Sequence, residues 1–252
     1  MPRTRTVQHV MGLPVSVDVR DSTAALDAAV HTGFGWLREV DARFSPFRPD
    51  SEAARFGRGE LTTGQLSADL VDVLGLSERY EASTSGAFRA RIGERPLDLC
   101  GVVKGWAVQR MADGLRAAGA RNFCLNAGGD VVTEGEPEPG TPWRVGIRHP
   151  LRSDRLCATF AVGSAAVATS GGYERGAHIL DGRTGLPARG LLSVTVLAPD
   201  LTTADIAATA AVALGRDGVR WAAEQPGCLV YAVTEDGVVH RSSGLDELLV
   251  PA

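Results

Sequence analysis

Between Asn122 and Pro199 the chain offers one short strand-like run after another and no helical period: "NFCLNAGGDVVTEG", "WRVGIRHP", "LCATFAV", "AAVATS", "AHILDG" and "LSVTVLAP". Gly, Pro and Asp turns separate the runs. Helical periods flank them on both sides. That order predicts an α+β fold, with antiparallel sheets and packed helices, rather than a doubly wound parallel sheet. The chain has 252 residues, 44% hydrophobic and 22% charged, which suits one ordinary globular domain spanning 1–252, or two lobes folded as a unit with no readable boundary.

The flanks read as follows. "TVQHV" and "VSVDV" alternate around "MGLP" and predict an opening hairpin. Ser22 to about Ala42 is a helix with Leu26, Val30, Phe34, Leu37 and Val40 on one stripe. "FSPFRPDSEAARFGRGE" is a loop holding a short helical turn, because Pro46 and Pro49 forbid more. Ser67 caps a second helix that turns Leu70, Leu74 and Leu76 inward. "RPLDLCGVV" reads as a short buried strand, followed by a helix from Gly105 to about Ala118 that Gly119 stops. Later come a helix in "LTTADIAATAAVALG" with Thr202 or Thr203 as its N-cap, another from Val219 to Glu224, and a closing hairpin turned on Asp236-Gly237.

A formal charge of -4 and a pI near 5.8 provide no basic footprint, so neither nucleic acid nor a membrane surface is an expected partner. No stretch approaches the ~20 apolar residues of a membrane span. "MPRTRTVQHVMG" lacks the continuous apolar core of a secretory signal, which predicts a cytoplasmic location. Cys100, Cys124, Cys157 and Cys228 are scattered without zinc or disulfide spacing and read as buried free thiols.

Of 26 basic residues, 25 are arginine and one is Lys104. An exception of this kind suggests a place where a compact ammonium is needed and a planar fork does not fit. It lies in "DLCGVVKG", where Gly101 allows close backbone approach and Lys104 sits near a helix start. Glycine plus lysine there is a way to hold phosphate, although a plain strand-to-helix turn has the same look and the GxxxxGK[ST] spacing is absent. "NAGGD", 126–130, reads as a tight hairpin turn. His178 follows a flexible Gly-Gly and a Tyr-x-Arg, and is either a core histidine or a general base beside a phosphate loop. Asp205 and Thr209, four residues apart, share one helix face. Capping in the first turn explains the aspartate but not the threonine; two hard oxygens beside a phosphate are also how Mg²⁺ is commonly held.

In order, "MG" at 11, "FSPFRPDSEAARF", "SGAF", "LDLCGVVKGWAV", "LNAGGDVVTEG", "WRVGIRHP", "VATSGGYER", "HILDGRTGLP", "LSVTVLAP" and "TADIAATAAVALG" together resemble the ApbE-type family of FAD:protein FMN transferases, from Met11 to Gly215. The resemblance implies a T-fold-like α+β architecture. It implies an enzyme using Mg²⁺, with Mn²⁺ as an alternative, that takes FAD as substrate, moves FMN to a Thr or Ser hydroxyl of a target protein and releases AMP. Carried over by position, Asp205, Thr209 and the Gly101 carbonyl match metal ligands. Met11, Phe47, Ala87, Phe88, Arg89, Asp98, Lys104 and Ile179 match FAD contacts, and His178 matches a proton acceptor that acts with Lys104 in catalysis. The chain departs from the family pattern at Gly57, Arg89 and Cys100. An FAD pyrophosphatase yielding FMN and AMP, and a non-catalytic FAD-binding protein, are the alternatives.

Overall fold

The computed structural model describes residues 3–172 and 178–250. Alternating apolar residues build the first hairpin, β1 (Thr4–Val10) and β2 (Leu13–Val19), paired antiparallel from Thr4 opposite Val19 to Val10 opposite Leu13. Met11 and Gly12, with φ of 56° and 72°, supply the two left-handed residues of its tight turn. Thr23 caps α1 (Ala24–Phe44) by accepting the Leu26 amide, and the predicted stripe from Leu26 to Val40 is buried. Ser51 caps the short α2 (Glu52–Gly57), and Ser67 caps α3 (Ala68–Ser83) as expected. Leu70 is buried on α3 while Leu74 and Leu76 are half-buried; Val73 and Ser77 complete the inner face.

The strand expected in "RPLDLCGVV" does not form. Residues 96–99 are irregular, and α4 (Cys100–Ala117) begins five residues before Gly105. Val102 and Val103 are buried together with Trp106 and Ala107, so the apolar pair belongs to a helix face of spacing three and four. A run of so few apolar residues fits either period, and tertiary packing decided it.

The strands that follow are β3 (Phe123–Ala127), β4 (Asp130–Glu134), β5 (Trp143–His149), β6 (Arg152–Val162), β7 (Ala165–Gly171), β8 (Leu180–Asp181), β9 (Leu186–Pro187) and β10 (Leu191–Ala198). Then come α5 (Leu201–Leu214), α6 (Asp217–Ala223), β11 (Leu229–Thr234) and β12 (Val239–Arg241). Eight strands form one antiparallel sheet in the order β1-β2-β3-β4-β7-β10-β11-β12. The α+β expectation therefore holds.

Period-two alternation gives this sheet two buried faces. Val132, Ala166, Ala168, Val194, Val196, Val230 and Ala232 face the core shared with α1, α4 and α5. Val131, Val167, Leu197, Tyr231 and Val233 face a second core closed by the β5–β6 hairpin through Trp143, Val145, Ile147 and Phe160. Helix α5 lies between α4, α6 and the sheet. A helix enclosed this way must be apolar all round, which accounts for "AATAAVAL"; its alanines let the neighbours approach closely.

The N-cap of α5 is Asp200, not Thr202 or Thr203. Its carboxylate accepts the Thr203 amide at 2.8 Å and the Thr203 hydroxyl at 2.7 Å. Asp205 consequently falls in the second turn, buried, where end-capping cannot account for it.

Candidate active site at the junction of two helices

Where α4 crosses α5, the Gly105 amide donates to Asp205 Oδ2 at 2.8 Å. Only glycine permits this approach: a Cβ at position 105 would stand 2.6 Å from both Asp205 Cβ and the Leu201 carbonyl oxygen. Lys104, one residue earlier, places Nζ 3.1 Å from Asp205 Oδ1 and 2.5 Å from Asp130 Oδ2. The two carboxylates are almost fully enclosed, with side chains 1% and 3% exposed, whereas Lys104 is 27% exposed. Asp130 Oδ1 also accepts the Thr169 amide at 3.0 Å.

These charges shape one another. Burial works against the Lys104 ammonium, but Asp205 and Asp130 outweigh it and raise its pKa above the ordinary lysine range. Burial is likewise the largest influence on Asp205, pushing it up to about 6; Lys104 pulls it down and Asp130 pushes it further up.

One turn along α5, the Thr209 hydroxyl shares a 2.9 Å hydrogen bond with Ser170 Oγ on β7. Gly101, in the first turn of α4, closes this side: a Cβ there would lie 3.0 Å from the Phe88 ring and 3.5 Å from Thr209 Cγ2. Gly101, Lys104, Asp205 and Thr209 thus share one place, and Phe88 borders it. Asp98 sits just ahead of the helix, exposed, its Oδ1 accepting the Cys100 amide at 2.9 Å.

The loop carrying Ala87 and Phe88 is sharply bent, with Ser85 and Gly86 at φ of 51° and 81°. Thr84 Oγ1 holds the Phe88 amide at 3.0 Å, and the Gly182 amide donates to the Ala87 carbonyl at 2.8 Å. That last bond lays the segment containing Ile179 alongside the loop. Arg89 turns back over Gly86 and pairs with Glu81 at 2.9 Å. His178 is exposed at the head of the same segment, and its neighbours 173–177 lie outside the described residues. Met11 is half-buried in the β1–β2 turn, which meets the β3–β4 turn where Gly128 donates to Pro14. Phe47 is 90% exposed after α1 and adds almost no packing to the cluster. Cys100 is exposed and Cys124 and Cys157 are half-buried, so only Cys228 meets the expectation of a buried thiol.

The sequence reading missed Asp130, Ser170 and the role of Gly105. A usable clue for Asp130 was its place directly before "VV" in a central strand, where a lone aspartate is unexpected.

Among the described residues no group of three or more His, Cys, Asp or Glu side chains is arranged to hold a metal ion. A cation at this junction would therefore depend on hydroxyl and carbonyl oxygens as well as carboxylate. Among the described residues, cavities of about 400 and 870 Å³ lie between α6 and β11–β12 and over α1, α3 and α4. Neither is lined by Lys104, Asp130, Asp205 or Thr209.

The chain is similar to known proteins over most of its length. The model of the ApbE family matches residues 11–95 and 93–232. A Haemophilus influenzae protein named FAD:protein FMN transferase is 27% identical over 82% of this chain and 79% of its own length. A Vibrio cholerae protein of the same name is 35% identical over 60% of this chain, a match spanning 49% of that relative. Among solved structures, the flavin transferase ApbE from Vibrio cholerae superposes with a TM-score of 0.83 at 25% identity, covering 98% of this chain and 99% of that one. The ApbE protein from Thermotoga maritima gives 0.86 at 23% identity over 99% and 100% of the two chains. With both of its helical flanks and its strand run inside the matched region, the chain belongs to the ApbE family.

Proposed function

We propose that this protein transfers FMN from FAD to a Thr or Ser hydroxyl of a target protein, with Mg²⁺ held at the α4–α5 junction. The observation that carries the reading is the enclosed Asp205 carboxylate, fixed by Gly105 at 2.8 Å and one turn from the Thr209 hydroxyl. The donor set is one carboxylate, one hydroxyl and the Gly101 carbonyl, all hard oxygens of the kind Mg²⁺ or Mn²⁺ prefers. Gly101 is the ordinary i-4 acceptor of the Gly105 amide, and Asp205 competes for that proton. Capacity on the Gly101 oxygen is thereby left for a cation. Too few protein ligands for a full cage suits an ion that keeps water and substrate phosphate in its shell.

Bound there, the ion would supply charge neutralisation on the FAD pyrophosphate. Lys104, a permanent ammonium with access to solvent, would hold a phosphate oxygen. The acceptor oxygen forms a bond to the FMN phosphorus while the phosphoanhydride bond breaks, and AMP leaves with the bridging oxygen. His178, which is exposed, would take the proton of the acceptor hydroxyl. Met11, Phe47, Ala87, Phe88, Arg89, Asp98 and Ile179 would be the residues that meet the flavin and adenine parts of FAD.

Incubation with FAD and Mg²⁺, with and without an acceptor protein, tests the reaction class. Release of AMP that requires the acceptor supports transfer. Rapid AMP release into buffer alone supports hydrolysis, and uncleaved bound FAD supports a carrier.

A further inference from the structure

Asp130 carries a charge that its hairpin does not need. Gly128 and Gly129, at φ of 63° and 106°, make the turn, and Asn126 Oδ1 secures it by accepting the Gly129 amide at 3.0 Å. An aspartate at the next position adds nothing to this turn, yet it is 2% exposed on the first residue of β4. Burying a carboxylate is costly unless partners hold it. Its partners are the Thr169 amide at 3.0 Å and the Lys104 ammonium at 2.5 Å.

One ammonium therefore stands between two enclosed carboxylates, 2.5 Å from Asp130 and 3.1 Å from Asp205. Were Lys104 to face Asp205 alone, its full charge would sit on the one carboxylate available to a cation and would compete with it. The same β7 segment that holds Asp130 through Thr169 also carries Ser170, the partner of the Thr209 hydroxyl at 2.9 Å. Backbone pairing of β4 with β7, Val131 opposite Val167, fixes the two side by side.

We infer that Asp130 is a positioning residue: it holds the Lys104 ammonium so that the Asp205 carboxylate stays available to a divalent cation. The inference rests on the metal reading above and assigns the charge balance that makes it workable.

The test is Mn²⁺ binding to the full chain without FAD, followed by electron paramagnetic resonance at pH 8. Asp130→Asn is expected to loosen Mn²⁺ by about tenfold or more, the usual cost of losing an outer-shell partner. Asp130→Asn combined with Lys104→Met is expected to restore binding to within about threefold of wild type, because the competing charge is gone. An unchanged affinity in Asp130→Asn, or a loss that the double variant does not recover, overturns the inference and marks Asp130 as structural. Should circular dichroism show Asp130→Asn unfolded, Asp130→Ser decides: Mn²⁺ binding loosened about tenfold and recovered on adding Lys104→Met supports the inference, and unchanged or unrecovered binding overturns it. Equal Mn²⁺ binding by wild type and Asp205→Ala would instead sink the metal reading, and this inference with it.

Discussion

The Gly105 amide donates to the Asp205 carboxylate at 2.8 Å, a bond between residues 100 positions apart that locks α4 against α5. Because a Cβ at 105 would stand 2.6 Å from Asp205 Cβ, Gly105→Ala must push the helices apart or displace the carboxylate. Overpacking of this kind costs about 1–3 kcal/mol. Urea denaturation should show that loss together with weakened Mg²⁺ binding. A variant as stable as wild type and with unaltered metal affinity would contradict the packing argument.

Asp205→Ala should abolish Mg²⁺-dependent cleavage of FAD yet leave a folded protein. Lys104 keeps Asp130 at 2.5 Å, so the substitution does not strand an unpaired ammonium. Chromatography of AMP alongside circular dichroism separates the two effects.

Acidity should act on this site with two opposite signs. Asp205 titrates near 6 in the folded chain, mainly through burial, against 3.8 ordinarily. Between those values the folded state binds more protons than the unfolded state, so this group's contribution favours the metal-free fold below about 4 and is lost as pH rises through about 6. Cation binding needs the ionised carboxylate and runs the other way. Thermal melts should therefore show a rise on adding Mg²⁺ at pH 8 that has vanished by pH 5. A Mg²⁺ effect independent of pH across that window would exclude Asp205 as a ligand.

Asp200 caps α5 through the Thr203 amide and hydroxyl. Asp200→Ala should cost about 1 kcal/mol of stability. Thr202→Ala, at a half-buried position whose hydroxyl does not cap the helix, should cost less, about 0.5 kcal/mol. Denaturant midpoints compare the pair directly.

Local pattern and tertiary context divide what the sequence reveals. The α1 stripe, the Ser67 cap and the Met11-Gly12 turn depend on near neighbours, and each formed where the pattern put it. The α4 start was misread because Val102 and Val103 are too short a run to reveal a period. Lys104 stood out by composition alone, since one lysine among 26 basic residues is visible without any fold. Its two counter-charges were not equally visible. Asp205 lay in a segment too apolar to hide it, but Asp130 looked like part of a turn until the sheet brought β4 beside β7 and under α4. Gly105 likewise gains its meaning only from a helix 100 residues further on. Burial and long-range approach, which decide these roles, leave little trace in neighbouring letters.

The most direct test of the account is flavinylation of protein in a host lacking its own flavin transferase. Intact and peptide mass spectrometry after expression of this chain should find FMN attached by a phosphoester to Thr or Ser, with no adduct when Asp205→Ala replaces the wild type. FMN accumulating free with no protein adduct, or the same adducts formed by Asp205→Ala, would contradict it.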